Sequence, residues 1–268
     1  MAKGHAELHI LTEYAPFSMG FVIITKEDRA IIIDGGTPHE LHNVEDHVGD
    51  REVAAWIITH PHPDHIGCLI YAMRKGSPIL KRVKRFVCNF HSPEFFKACG
   101  GECVADVDKF RRYTSENAYR VDSPLAGDVM DIDGLHFEFL FSKDEKYTKN
   151  YVNDSSLVFR VTGNKRNVLF LGDLGPIAGD DLLAMHGDHL RSDIVQMAHH
   201  GHMCVHKEVY EAIDPNACIW CCASWLYNEP DKLISEDMYG VGHTRKWMAE
   251  IGHQTHYVTK DGDQIIDI

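Results

Sequence analysis

Short apolar runs rich in β-branched residues alternate along the chain with longer stretches of helical periodicity. Some runs, such as Ile31-Ile32-Ile33, are apolar at every position, which is typical of a strand covered on both faces. Short polar turns within 20–34 and 156–172 indicate two antiparallel pairs. The pattern predicts strands over 20–25, 29–34, 54–59, 83–90, 135–141, 156–162, 167–172, 193–198, 217–222 and 256–259. It predicts helices over 38–48, 66–75, 93–99, 104–119, 176–190, 206–213 and 243–252.

This alternation indicates an α/β fold in which mixed sheets are flanked by helices. A chain of 268 residues can bury one large core, and no repeat, low-complexity tract or linker marks a boundary. We therefore predict a single domain over 1–268. Three predicted strands end directly before side chains that commonly bind metals. Open α/β sheets place their sites at such strand ends, and here the residues are His60, Asp173, His199 and His200.

The segment His60-Pro-His62-Pro-Asp64-His65 carries the strongest chemical signal. Each proline keeps the preceding histidine extended, so His60 and His62 lie on one side of the segment. Asp64 and His65 then come at the turn into a helix and can face a second point nearby. Three imidazoles and a carboxylate suit zinc, and also manganese or iron. The segment therefore predicts a metal site.

Two further motifs support this site. Asp173 follows the apolar run Leu169-Phe170-Leu171-Gly172, and a carboxylate buried there must be paired, metal-bound or solvated. On its own it could be an ordinary residue at a strand end. In the third motif, Ala198-His199-His200-Gly201, we expect one histidine to bind metal and the other to line the pocket. One residue of register decides between His199 and His200, so both remain candidates.

Composition narrows the possible partners. The chain has 19 His and a formal net charge of −13, and a surface this acidic repels long nucleic acid and anionic membranes. No apolar run is long enough for a membrane helix, and the N-terminus has no export signal, so we expect a cytoplasmic protein. The single C-x-x-C, Cys218 to Cys221, lies within a predicted strand and has no second such pair among the eight Cys, so a zinc ribbon is not expected. The expected partner is a small-molecule substrate. The oligomeric state stays open, with a homodimer as one option.

The three motifs, in this order and spacing, resemble those of the metallo-β-lactamase-fold hydrolase superfamily. Within it, the chain is similar to the branch typified by the metallo-hydrolase domain of the bacterial competence (DNA-uptake) membrane protein. Features shared with that branch are a strand ending in an Asp-Gly-Gly turn, an Asn before a Ser-Leu-Val strand and a Gly-His pair near the C-terminus. In this chain they are Asp34-Gly35-Gly36, Asn153 with Ser156-Leu157-Val158, and Gly242-His243.

The resemblance implies a four-layer αββα sandwich with two divalent ions at the sheet edge, zinc first and manganese or iron as alternatives. It implies that one metal is bound by His60, His62 and His199, the other by Asp64 and His65, and that Asp173 bridges them. Most members have a further His within a segment that here, at 150–155, contains none. Asn153 or Asp154 would supply an oxygen or a water bridge instead.

The resemblance also implies hydrolysis by a metal-bridging hydroxide, which Asp64 would orient. His62 stands where the oxygen-reducing diiron members carry Glu, which favours hydrolysis over redox chemistry. His243 and His200 are the candidate catalytic groups, and Asn153, His200 and His243 the candidate substrate contacts. We expect a phosphodiesterase-like enzyme for a small phosphodiester or phosphate ester. The alternatives are a lactone or cyclic ester hydrolase, or a non-catalytic metal-binding protein of the same fold.

Overall fold

Two seven-stranded β-sheets lie face to face in the computed structural model, which describes residues 4–15, 17–235, 238–252 and 254–268. The first sheet has the order β16-β1-β2-β3-β4-β5-β6. Its strands are β1 (Glu7–Ile10), β2 (Gly20–Ile24), β3 (Ala30–Asp34), β4 (Val53–Ile57), β5 (Arg85–Val87), β6 (Arg120–Asp122) and β16 (Gln264–Asp267). It is antiparallel from β16 to β3 and parallel from β3 to β6.

The second sheet repeats this plan with the order β15-β12-β11-β10-β9-β8-β7. Its strands are β7 (Val129–Ile132), β8 (Leu135–Phe141), β9 (Val158–Thr162), β10 (Asn167–Phe170), β11 (Ile194–Gln196), β12 (Ala217–Trp220) and β15 (Thr255–Val258). The strands from β15 to β10 are parallel and those from β10 to β7 antiparallel. A small antiparallel pair, β13 (Leu233–Ser235) and β14 (Met238–Tyr239), lies outside both sheets.

Helices cover the outer face of each sheet. Those on the first sheet are α1 (Leu41–Val48), α2 (Pro63–Lys75), α3 (Pro93–Cys99) and α4 (Val104–Glu116). Those on the second are α5 (Pro176–His186), α6 (Lys207–Ile213), α7 (Ser224–Tyr227) and α8 (Val241–Ile251). The layers are therefore helix, sheet, sheet and helix, and the predicted fold class is confirmed.

Strand periodicity explains how the apolar runs serve two cores at once. Ile31 and Ile33 point into the core between the sheets, whereas Ile32 points outward to α1 and α2. In the second sheet Phe170 faces the inner core and Leu169 the outer helices. Successive side chains on a strand point to opposite faces, so only a run apolar at every position can fill both.

The structure also refines the predicted elements. The antiparallel pairs β2–β3 and β9–β10 are confirmed. The sequence pattern missed β1, β6, β7 and β16, and α2 begins at Pro63 rather than at 66. The earlier start follows from Pro63, because proline is favoured in the first helical turn after an extended residue, here His62. The prediction of one domain over 1–268 stays a prediction.

Candidate metal centre

The site lies where parallel strands of both sheets end. The chain leaves β4 through Thr59 into His60, leaves β10 through Gly172 into Asp173, and leaves β11 toward His199. The backbone ties these ends together, because Leu157 N donates to Thr59 O at 2.8 Å and His199 N donates to Gly172 O at 3.0 Å. Both sheets therefore contribute to one edge.

The H-x-H-x-D-H segment divides between an extended chain and a helix. His62 is extended, with φ −66° and ψ 148°, and Pro63 begins α2. Asp64 and His65 therefore lie in the first turn of α2, as the sequence predicts. The switch from extended chain to helix turns the second pair of side chains toward a different point from the first pair.

A buried glutamine holds the turn that presents Asp173. Gln196 Oε1 accepts hydrogen bonds from Leu171 N at 2.9 Å and from Gly172 N at 2.8 Å, and its amide donates to Gly172 O at 3.0 Å. Gly172 has φ +56°, and a Cβ there would come within 2.9 Å of Ser156. Only glycine therefore fits this turn, which aims Asp173 into the site.

The first ligand group contains His60, His62 and Asp173. His60 Nε2 lies 3.0 Å from His62 Nδ1 and 3.8 Å from Asp173 Oδ2. The other ring nitrogen of each histidine points away from this group: His60 Nδ1 lies 3.2 Å from the Thr59 hydroxyl, and His62 Nε2 lies 3.2 Å from Glu102 Oε1.

The second ligand group contains Asp64, His65, His200 and the shared Asp173. His65 Nε2 lies 3.2 Å from Asp173 Oδ1, and His200 Nε2 lies 3.2 Å from Asp64 Oδ2 and 3.7 Å from Asp173 Oδ2. Asp173 thus faces both groups: its Oδ1 lies near His65, and its Oδ2 lies near both His60 and His200. A carboxylate in this position can be shared between two cations.

Backbone and carboxylate acceptors fix the rings of the second group from behind. His65 Nδ1 donates to Asp34 Oδ2 at 2.8 Å, and His200 Nδ1 donates to Cys221 O at 2.7 Å. Asp34 Oδ1 also accepts from Thr59 N at 2.7 Å. Such partners fix the tautomer of a histidine and leave Nε2 free to bind a metal. Sequence analysis did not assign Asp34 to the site, although, like Asp173, it ends an apolar strand.

His199 and His200 both have a left-handed backbone, with φ 49° and 58°. This conformation is uncommon for residues other than glycine and concentrates at functional sites. The structure groups His200, rather than His199, with Asp64 and His65. His199 Nε2 nevertheless lies 3.7 Å from Asp173 Oδ2, which is close to the 3.8 Å separation of His60 Nε2 from that oxygen. His200 Nε2 lies equally far from that oxygen, so this distance does not assign His199 to either group, and its predicted role as a ligand of the first metal stays a prediction.

The structure does not bring Asn153 or His243 to the described lining of the cavity. The Asn153 amide donates to Asn150 Oδ1 at 3.1 Å. His243 pairs with Asp231 and stacks on Tyr239, and its predicted catalytic role stays a prediction. Asp154 accepts from Gly175 N at 3.0 Å, and burial raises its pKa to about 6. These contacts tie Asp154 to the start of α5.

The electrostatics of the centre favour positive charge. Burial alone raises the pKa of Asp173, but the facing imidazoles of His65 and His200 hold it well below its usual value. Burial lowers the pKa of His65, and the carboxylates of Asp173 and Asp34 reverse this and raise it well above the ordinary value. Burial, followed by the charge of His65, lowers the pKa of His60, which favours its neutral, ligating form.

The residues present fit a metal pair. Within the part of the chain that the structure describes, His65 Nε2, Asp173 Oδ1 and His199 Nδ1 are buried without a hydrogen-bond partner. Buried polar atoms are normally satisfied, and His65 Nε2 and Asp173 Oδ1 face each other at 3.2 Å in the centre, so these two atoms indicate a ligand there. Imidazole and carboxylate donors suit zinc, manganese and iron. The two groups and the shared carboxylate indicate a dinuclear metal site whose metal identity the donors do not decide.

A cavity of about 490 Å³ opens over this centre. Besides ligand residues, four side chains that sequence analysis did not assign to the site line it: Phe17, Thr37, Glu102 and His202. Phe17 stacks on His202 with 5.4 Å between ring centroids. Phe17 and Glu102 reach the cavity from segments distant in sequence from the motifs, whereas Thr37 and His202 directly follow Gly36 and Gly201.

Fold and site together indicate an αββα protein with candidate ligands for two metal ions. The chain belongs to the metallo-β-lactamase superfamily, whose family model matches residues 20–194. This finding identifies the superfamily and does not reach the competence-type branch. No curated protein gives a significant sequence match.

Solved structures show the same fold at low identity. The metallo-β-lactamase fold protein YhfI from Bacillus subtilis aligns with a TM-score of 0.61 and 14% identity, over 98% of this chain and 100% of that one. CmlA, a diiron β-hydroxylase from Streptomyces venezuelae, aligns with a TM-score of 0.57 and 12% identity, over 99% of this chain and 55% of CmlA. A protein from Parabacteroides distasonis, whose proposed activity is that of a metal-dependent hydrolase, aligns with a TM-score of 0.52 and 12% identity, over 90% of this chain and 89% of that one. Among the described residues, no helix is long and apolar enough to cross a membrane.

Proposed function

We propose that this protein is a metal-dependent hydrolase of a small phosphodiester or phosphate ester. The observation that carries the proposal is the pair of ligand groups sharing Asp173 beneath a cavity of about 490 Å³. Superfamily membership and the hydrolase proposed for the Parabacteroides protein of the same fold support it. The phosphate preference rests on the resemblance to the competence-type branch.

In this proposal His60, His62 and His199 hold one ion, Asp64, His65 and His200 hold the other, and Asp173 lies between them. His200 thereby joins the ligands that the family resemblance implies. A bound pair of divalent ions would supply Lewis acidity and would lower the pKa of bound water toward neutrality. Zinc is our first choice and manganese or iron the alternatives, the latter because CmlA of the same fold is a diiron protein.

The chain's own residues then orient the reactants. Asp64 Oδ2 faces His200 Nε2 at 3.2 Å, which leaves Oδ1 to accept a hydrogen bond from the attacking water. Phe17 and His202 form one stacked wall of the cavity and limit the access of bulk water. Burial, followed by the charges of His199 and His200, lowers the pKa of His202 to about 3, so this ring contacts substrate as a neutral imidazole.

The charge distribution supports a small substrate rather than a polynucleotide. Within the basic run at 81–85, Lys84 binds Glu52 at 2.6 Å, and Arg85 binds Asp122 at 3.3 Å. Arg82 donates to Arg51 O at 2.9 Å. These cations are therefore committed and do not form a phosphate-binding track, and the net charge of −13 opposes a long polyanion.

One observation favours a second candidate, a lactone or other cyclic ester hydrolase. Among the described residues that line the cavity, none is Lys or Arg. A phosphodiester gains from a fixed cation beside the metal pair, whereas an uncharged ester does not need one. The two candidates share the metal centre and differ only in the charge of the substrate.

The test begins with metal content by elemental analysis of protein purified without a His tag. We expect about two ions per chain. His60→Ala and Asp173→Ala should lose metal, and the exposed His136→Ala is the matched control. Protein reloaded separately with zinc, manganese or iron is then assayed on a bis-aryl phosphate, an aryl phosphate and a γ-lactone.

Phosphate turnover that is lost in Asp173→Ala supports the proposal. Lactone turnover alone shifts the assignment to the second candidate. Two bound ions with no turnover of any of the three substrates favour a non-catalytic metal-binding protein. A wild-type chain without metal contradicts the whole proposal.

A further inference from the structure

The loop between α3 and α4 brings a carboxylate to the metal centre from outside the superfamily motifs. Its backbone is sharply bent, with φ +142° at Gly100, +84° at Gly101 and +62° at Cys103. Glycine adopts these angles without strain, whereas Cys103 adopts a conformation that few residues with side chains do. Glu102 lies between them, and the bend directs its side chain to His62.

Two hydrogen bonds hold this bend in place. Gly101 N donates to Phe96 O at 2.7 Å, which closes the end of α3. Glu102 N donates to the hydroxyl of Tyr151 at 3.1 Å, and Tyr151 is buried in the core beneath α3 and α4. The position of Glu102 is therefore fixed by the fold and does not depend on a free loop.

The ring of His62 links Glu102 to the first ligand group. Its Nε2 lies 3.2 Å from Glu102 Oε1, and its Nδ1 lies 3.0 Å from His60 Nε2. A carboxylate accepts from Nε2–H, which leaves the lone pair of His62 on Nδ1, the atom that faces the first group. Metal-binding histidines are commonly oriented and made more basic by such a partner.

We propose that Glu102 is a positioning residue that fixes the ring and tautomer of His62 for binding the first metal ion. The inference rests on the metal centre of the proposed function and adds a residue to it. Glu102 does not touch the reacting atoms in this role and acts only through His62.

The same residues could instead bind an ion of their own. His62, Glu102 and Cys103 lie close enough together to hold one. This arrangement and the proposed one exclude each other, because His62 Nε2 cannot donate a proton to Glu102 and also bind an ion.

The experiment measures zinc affinity by chelator competition in the wild type, Glu102→Ala, Glu102→Gln and Tyr151→Phe. Glu116→Ala is the matched control, because Glu116 is an exposed glutamate at the C-terminal end of α4, the helix that follows the loop of Glu102. The ion lost in His60→Ala marks the first group. We expect Glu102→Ala to lower the affinity for that ion by about 10–100-fold and to leave the affinity for the other ion unchanged. Glu102→Gln, which keeps an acceptor oxygen, and Tyr151→Phe should give smaller losses of the same ion.

Two further measurements separate positioning from a structural role. The side chain of Glu102 is 58% exposed, so thermal unfolding of the chelator-treated protein should not change in Glu102→Ala. In zinc-loaded protein, nuclear magnetic resonance should detect a protected His62 Nε2–H that exchanges rapidly in this variant.

Equal affinities in Glu102→Ala and Glu116→Ala, beside a wild type with two ions, would overturn the role of Glu102 and leave the proposed function intact. A third ion that disappears in both Glu102→Ala and Cys103→Ser would also overturn it. A wild type that binds no zinc, manganese or iron would overturn both proposals.

Discussion

The two ligand groups of the centre are built in different ways. In the second group, His65 and His200 are fully buried, and their rear nitrogens donate to Asp34 and to the carbonyl of Cys221, within the strand ends of the two sheets. In the first group, His62 is 17% exposed, and its rear nitrogen meets Glu102 on a loop. Each group also has one partly exposed ligand, His62 at 17% and Asp64 at 24%, so the groups differ in what lies behind their imidazoles, which is the strand ends in one and a loop carboxylate in the other.

This difference indicates that the two ions are bound with different strengths. An imidazole fixed by buried partners loses little conformational entropy on binding a metal, whereas the ring of His62 relies on Glu102, whose side chain is 58% exposed. We therefore expect the second group to bind the tighter ion. The shared Asp173 couples the two, because the loss of either ion leaves this buried carboxylate with one partner fewer.

The largest effect is expected from removing the shared residue. Asp173→Ala should lower the affinity for both ions by more than about 100-fold, which exceeds the loss typical of a residue that only orients a ligand. Elemental analysis after dialysis measures the ions that remain. If one ion is retained at full affinity, Asp173 does not bridge the two groups.

A smaller effect is expected from Asp34→Asn, which keeps the shape but removes the charge behind His65. We expect the affinity for the tighter ion to fall by about 10–100-fold, because the ring of His65 is then less firmly oriented. The amide also cannot accept from both Thr59 and His65, so unfolding in urea should show a loss of about 1–3 kcal/mol in chelator. Glu102→Gln is the counterpart for the first group and should lower only the weaker ion's affinity. Equal responses of both ions to Asp34→Asn would contradict the comparison.

Local pattern predicted most of the fold because a run apolar at every position, such as Ile31–Ile33, indicates a covered strand without knowledge of distant contacts. The candidate ligands could be predicted for a similar reason, since His60 to His65 form a compact motif. The rear partners could not be found this way. Asp34 meets His65 from 31 residues away and Glu102 meets His62 from 40 residues away. Which of His199 and His200 faces Asp64 depends on the left-handed backbone of both histidines, and the sequence does not reveal that conformation.

The smallest effect concerns a carboxyl on the enclosed side of the centre. Burial raises the pKa of Glu13 to about 7, and the charge of His200 only partly opposes this. Because the folded pKa exceeds the unfolded one, Glu13 stabilises the fold fully below about pH 4.5, and this contribution is lost as the pH rises through about 7.

Glu13→Gln should therefore become more stable than the wild type as the pH rises from 5 to 7.5, by roughly 1–2 kcal/mol once solvent screening is allowed for. Urea unfolding in chelator at both values measures the change, with the exposed Glu27→Gln as the control. A constant difference across this range would mean that Glu13 is not protonated preferentially in the folded protein.

The pairing of β1 with β16 has a consequence for how the protein is made. Glu7 lies opposite Asp267, so the edge of the first sheet closes only when residues near 267 have left the ribosome. The second sheet needs nothing beyond β15 and can assemble earlier during translation. Pairings this distant in sequence form slowly. The first sheet is therefore completed after the second, when β16 adds to β1.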